Sequence, residues 1–104
     1  MIENIPRERS AYQCDEYFNG HWWQSGHYDE YAQMFMIVPL SEAYESAGLA
    51  FFSIGRSGSD GIDFGYRKGL IGIWAFYPIE GDFKFMAPDI HSLVDDWCSG
   101  KLFV

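Results

Sequence analysis

Apolar and polar positions alternate in distinct ways along this chain, and each change of period marks an expected element. Met1 to Arg9 is polar and without period. From Ser10 the pattern predicts a helix to about Phe18, capped by Ser10, with Ala11, Cys14 and Phe18 on one face. Asn19-Gly20 should stop it, because both residues accept a left-handed backbone. His21 to Asp29, HWWQSGHYD, reads as a loop or short strand with two adjacent tryptophans. Gln33 to Val38, QMFMIV, is an unbroken apolar run of strand length that Pro39 ends. Ser41 then predicts a second short helix through Ala47, with Gly48 as its stop.

The second half reads as strands until the last helix. Leu49 to Gly55 forms one strand. Ile62 to Tyr66 alternates, with Ile62, Phe64 and Tyr66 on one side and Asp63 and Gly65 on the other. Arg67-Lys68-Gly69 is a tight polar turn, and Ile71 to Tyr77 pairs back as a hairpin partner. That strand is apolar on both faces: Ile71, Ile73, Ala75 and Tyr77 against Trp74 and Phe76. Such a strand is covered on both sides, or its second face meets a partner. Pro78 to Gly81 makes a turn, and Asp82 to Met86 a short edge strand. Asp89 caps the clearest helix, with Ile90, Leu93, Val94 and Trp97 at i, i+3, i+4 and i+7 and Gly100 at its end. The tail from Lys101 to Val104 is apolar enough to dock back. The order predicts an α+β fold, a single antiparallel sheet with helices packed on one side.

Gly55 to Arg67, GRSGSDGIDFGYR, holds the one glycine-rich stretch between two strands. A phosphate-binding loop would need GxxxxGK[ST] leading into a helix. Here no Lys follows the glycines, and Asp60 would repel phosphate. A calcium loop needs oxygen ligands at alternate positions and a distal Glu, which Asp60 and Asp63 do not supply. A hairpin connection is the expected role.

At 104 residues the chain is the size of a single domain, 1–104. It is 48% hydrophobic, far too apolar for a disordered chain. With 4 Trp, 7 Tyr and 9 Phe, some rings must reach the surface. A net charge of −8, from 15 acidic and 7 basic residues, disfavours direct nucleic-acid binding and anionic membrane. It suits a basic partner, or serves only to keep the protein soluble. The polar start resembles no signal peptide, and no apolar run approaches membrane-spanning length. A cytoplasmic setting with Cys14 and Cys98 reduced is therefore expected.

No catalytic or metal signature stands out. His21, His27 and His91 form no HxH or HExxH pair, and no CxxC exists. Ser57 and Ser59 lie in the glycine loop outside any GxSxG elbow. Cys98 follows Trp97 on the last helix, which suggests packing. Asp95-Asp96 reads as that helix's solvated face. The chain is expected to be no enzyme and to use no cofactor or metal. The aromatic segment is the best binding candidate: Trp22, Trp23 and Tyr28 could grip a protein or stack on a sugar, with Asp29 and Glu30 beside them and Asp60 in the glycine loop. The alternative is a segment folded over the sheet with its rings inside.

Four stretches carry a family likeness. EYFNG (Glu16 to Gly20) resembles a first helix ending in Asn-Gly. MIVPLSEA (Met36 to Ala43) resembles a strand followed by a short helix. FFSIGRSGSDGIDFGYR (Phe51 to Arg67) resembles a strand, glycine/aspartate turn and strand, and FKFMAPDIHSLVDDWCSG (Phe83 to Gly100) a final strand and helix. In this order they resemble the SUKH superfamily, which joins fungal cell-wall-assembly regulators to bacterial toxin-immunity proteins. The segment before Glu16 is short for the family, and the turn reads Gly-Ser-Asp-Gly in place of a glycine run. The resemblance implies an α+β fold and a binding role without catalytic residues. The leading expectation is an immunity protein that neutralises a basic toxin domain, such as a nuclease-type one, by covering it. A regulatory or scaffold module and a small-molecule or carbohydrate binder are the alternatives.

Overall fold

In the computed structural model, residues 9–30, 33–58 and 61–101 are described. The chain forms α1 (Arg9–Tyr12), α2 (Asp15–Asn19), α3 (Trp22–Ser25), β1 (His27–Asp29), β2 (Met34–Ile37), β3 (Tyr44–Ser46), β4 (Phe51–Arg56), β5 (Asp63–Arg67), β6 (Ile73–Tyr77), β7 (Asp82–Ala87) and α4 (Ile90–Cys98). The seven strands make one antiparallel sheet in the order β1-β2-β4-β5-β6-β7, with β3 also against β4. From β4 to β7 each strand pairs with the next in sequence. The expected α+β architecture is the one observed.

One face of the sheet builds the core. Phe52, Ile54, Ile62, Phe64, Tyr66, Ile73 and Ala75 pack there against Tyr12, Cys14, Tyr17, Ile90, Leu93 and Val94 from the helices and their junctions. Burying this apolar face is what holds the helices to the sheet, since helices as short as α1 and α2 are unstable alone. Aromatic rings tile the contact: Phe52 meets Tyr12, Tyr17 and Phe18, and Phe64 meets Trp97 edge-on at 5.4 Å. The Tyr17 hydroxyl donates to the Val38 carbonyl at 2.7 Å, tying α2 to the segment after β2. The Tyr66 hydroxyl is buried without a hydrogen-bond partner among the described residues, and burial raises its pKa. The Tyr17 amide beside it donates to the Cys14 carbonyl instead.

Both ends of α4 are capped. Asp89 accepts from the Ser92 amide at 2.7 Å, as its N-cap position requires. The carboxylate of Glu16, reaching over from α2, accepts from the amides of Ile90 and His91. Three amides that a helix start leaves orphaned thus meet two carboxylates, and the positive end of the helix dipole meets their charge. At the other end Gly100 takes φ +80°, Gly100 N–H bonds Trp97 O and Lys101 N–H bonds Asp96 O, a Schellman motif.

Three sequence expectations are corrected. The helix from Ser10 to Phe18 is two, because Gln13 sits at φ +53° and breaks it. The break turns Tyr12 and Tyr17 into the core, while Phe18 is only half-buried and Asn19-Gly20 ends α2 with an extended backbone at Gly20. The helix expected from Ser41 to Ala47 is a 3-10 turn (Leu40–Glu42) followed by β3. The reason is non-local. β2 pairs with β4 only at Gly55, so the first half of β4 has a free edge, and Tyr44, Glu45 and Ser46 fill it opposite Ser53, Phe52 and Phe51. Finally, Trp22 and Trp23 lie on a helical turn and not in a loop or strand; only His27–Asp29 is extended. The tail expected to dock back lies, beyond Lys101, outside the described residues.

Candidate functional site

The glycine loop is a hairpin connection. β4 and β5 pair through Arg56 and Asp63, and Ser57 N–H closes the loop on Ile62 O at 3.0 Å. Gly58 and Gly61 both take positive φ, +81° and +72°, which side chains resist. A Cβ at Gly58 would also stand 2.6 Å from the Met34 sulfur. Asp60 lies outside the described residues.

The aromatic segment divides into packed and open parts. Trp22 and Trp23 are half-buried against the core. Trp22 lies between two imidazoles, with His21 at 4.3 Å and His27 at 6.3 Å between ring centres. Tyr28, on edge strand β1, is 46% exposed and meets Phe35 edge-on at 5.2 Å. Asp29 follows it, half-buried, and Glu30 is exposed. Among the described residues no three His, Cys, Asp or Glu side chains group to hold a metal ion.

Asp29 lies within electrostatic range of the end of α4. The Cys98 thiol there is pushed up in pKa, first by partial burial and then by the negative charges of Asp29 and Asp95. Asp95, exposed, pairs with His91 at 3.5 Å. The helices α2, α3 and α4 hold Asp15, Glu16, Asp95 and Asp96 and neither Lys nor Arg. The acidic end of the aromatic segment thus lies within electrostatic range of the acidic helices α2 to α4.

The opposite face of the sheet carries the residues that pattern reading did not nominate as a site. Phe51, Gly65, Trp74, Phe76, Phe83 and Phe85 share it, by the pairings of β4 to β7. Phe51 is fully buried there under Phe76 (5.9 Å) and Phe83 (5.4 Å). Its ring crosses Gly65, where a Cβ would stand 2.8 Å from the Phe51 ring and 2.1 Å from the Phe52 carbonyl oxygen. Trp74 meets Phe85 edge-on at 5.3 Å, and Phe85 is 49% exposed. The Arg67 guanidinium lies over both Phe83 (4.0 Å) and Trp74 (4.9 Å), a cation on two ring faces. At the β3 side of this face, the Tyr44 hydroxyl donates to Asp63 at 2.7 Å. Desolvation, then that bond and the Asp63 charge, push its pKa up to about 12. The available signal was the two-faced apolarity of Ile71 to Tyr77 together with the alternating Phe83 and Phe85.

The described residues present two distinct surfaces, one acidic and one aromatic. No family model matches the chain, and neither curated proteins nor solved structures yield a match.

Proposed function

We propose that this chain is a non-catalytic protein-binding domain, an immunity protein of SUKH type that neutralises a basic toxin domain in the cytoplasm by covering it. The observation that carries the reading is where the charge lies. The acid excess of α2, α3 and α4, four carboxylates without a Lys or Arg, lies within electrostatic range of Asp29, which follows Tyr28 on β1 and precedes Glu30. Such a surface attracts a basic cleft at long range and offers exposed aromatic area for the docked state. Glu16 belongs to the fold, since its carboxylate already caps α4. Asp29, Glu30, Asp95 and Asp96 are the carboxylates that would meet the partner.

Surface plasmon resonance against the product of a toxin-like reading frame immediately upstream tests this. Raising salt from about 50 to about 500 mM shortens the screening length from roughly 14 to roughly 4 Å. The on-rate is expected to fall at least about tenfold while the off-rate changes less. Asp29→Asn with Glu30→Gln should reproduce part of that loss. A salt-independent on-rate removes the electrostatic argument, and absence of binding removes the reading.

A further inference from the structure

The open sheet face carries little net charge in a strongly acidic protein, since Arg56, opposite Asp63 on β4, pairs with Glu42 at 3.5 Å. Along central strand β5 its charged side chains are Asp63 and Arg67, one on either side of Gly65. Arg67 is half-buried on Trp74 and Phe83 and has no carboxylate partner among the described residues. Asp63 is held through one oxygen by Tyr44, leaving the other to accept. Around them stand Phe85 at 49% and Tyr44 at 46% exposure, an aromatic patch of the kind that marks an interface.

We propose that a second copy of this chain docks on this face, sheet to sheet, to form a twofold dimer. Charge decides the occupant. Two copies each carrying −8 repel through the acidic surface of α2 to α4, whereas the open face brings balanced charge from each copy, Asp63 with Arg67 and Arg56 with Glu42. The face is also self-complementary, as a twofold interface must be. A twofold axis lying between the sheets and crossing β5 at Gly65 reverses the strand direction. Each Arg67 then stands over Asp63 of the partner subunit. The preset guanidinium gains a carboxylate, and the rings of Trp74, Phe83 and Phe85 lose their water. Aligned packing of twisted sheets has this geometry.

Sedimentation of the full chain from micromolar to several hundred micromolar concentration tests the dimer. A reversible monomer–dimer equilibrium is expected. Arg67→Asp or Asp63→Arg alone sets like charges opposite each other and should weaken the dimer at least about tenfold. The double swap, Asp63→Arg with Arg67→Asp, should restore most of that loss. Phe85→Glu, on an edge strand and outside the core, should dissociate the dimer with the far-ultraviolet circular dichroism unchanged, and it serves if the charge variants do not fold. A monomer at every concentration overturns the proposal. So does a dimer that Phe85→Glu leaves intact, or a double swap as weak as the single variants.

Discussion

The two faces of the sheet are both aromatic, yet they differ in what the rings do. On the helix side Phe52 and Phe64 are fully buried, and helices bring Tyr12, Tyr17 and Trp97 to meet them. On the open side only Phe51 is fully buried; Trp74, Phe76 and Phe83 are half-covered by one another and by Arg67, and Phe85 is exposed. The helix side is a core, where each ring excludes water for its neighbours. The open side is a surface that shelters itself in part. An aromatic strand position is therefore a poor guide to stability until its opposite layer is known.

Truncations should separate the faces. Trp97→Ala removes the ring that closes α4 onto Phe64 and is expected to cost about 3 kcal/mol, a large share of a small domain's stability. Urea denaturation would show it as a lower midpoint at unchanged slope. A loss of only a few tenths would mean that the helix layer is not what stabilises the sheet.

The open face has one position that should behave like core. Gly65→Ala would drive a Cβ into the Phe52 carbonyl and the Phe51 ring, so about 1–3 kcal/mol of destabilisation is expected by thermal melting. If the variant melts like wild type, Phe51 does not lie across β5, and the open face has no buried layer of its own.

Smaller effects sharpen the contrast. Asp89→Ala should cost about 1 kcal/mol through the lost cap of α4. The Asp89 pKa is lowered, chiefly by the Ser92 amide and against some desolvation. A carboxylate with a depressed folded pKa stabilises above its unfolded pKa and loses that contribution as pH falls through the folded value. The deficit of Asp89→Ala relative to wild type should therefore shrink as acid is added below about pH 4, and should be constant near neutrality. A deficit that grows on acidification contradicts the cap. Phe85→Ala, at dilute concentration where the chain is monomeric, should cost under about 1 kcal/mol, because an exposed ring gives up little buried area. A loss as large as that of Trp97→Ala would erase the distinction between the faces.

The legible parts of this fold are those set by neighbours in sequence. The β4–β7 meander follows from alternation and turn residues, and α4 follows from its i, i+3, i+4, i+7 stripe between Asp89 and Gly100. The segment Leu40–Leu49 was illegible for the opposite reason. Its Ser, Glu and Ala residues favour helix, but the vacant edge of β4 favours strand, and no local pattern reports a vacant edge. The break at Gln13 has no local signal, since nothing in the sequence marks a glutamine for positive φ. For the candidate surfaces, the acidic aromatic segment is legible as residue types, while its electrostatic proximity to the end of α4 needs the tertiary structure. Arg67 stood out only as a turn residue, since its stacking depends on two rings from other strands.

The clasp between Glu16 and the start of α4 has a consequence for the order of folding. It joins positions 74 apart, whereas the β4–β7 meander is assembled from consecutive hairpins. Closing the longer loop carries the larger entropic cost, so the meander should form first and the clasp should seal a sheet that already exists. The same seam is then the natural place for partial opening. Native-state amide exchange at Ile90 and His91 should proceed through a sub-global event that leaves Phe52 and Phe64 protected, and Glu16→Gln should accelerate it there before it accelerates exchange in the sheet.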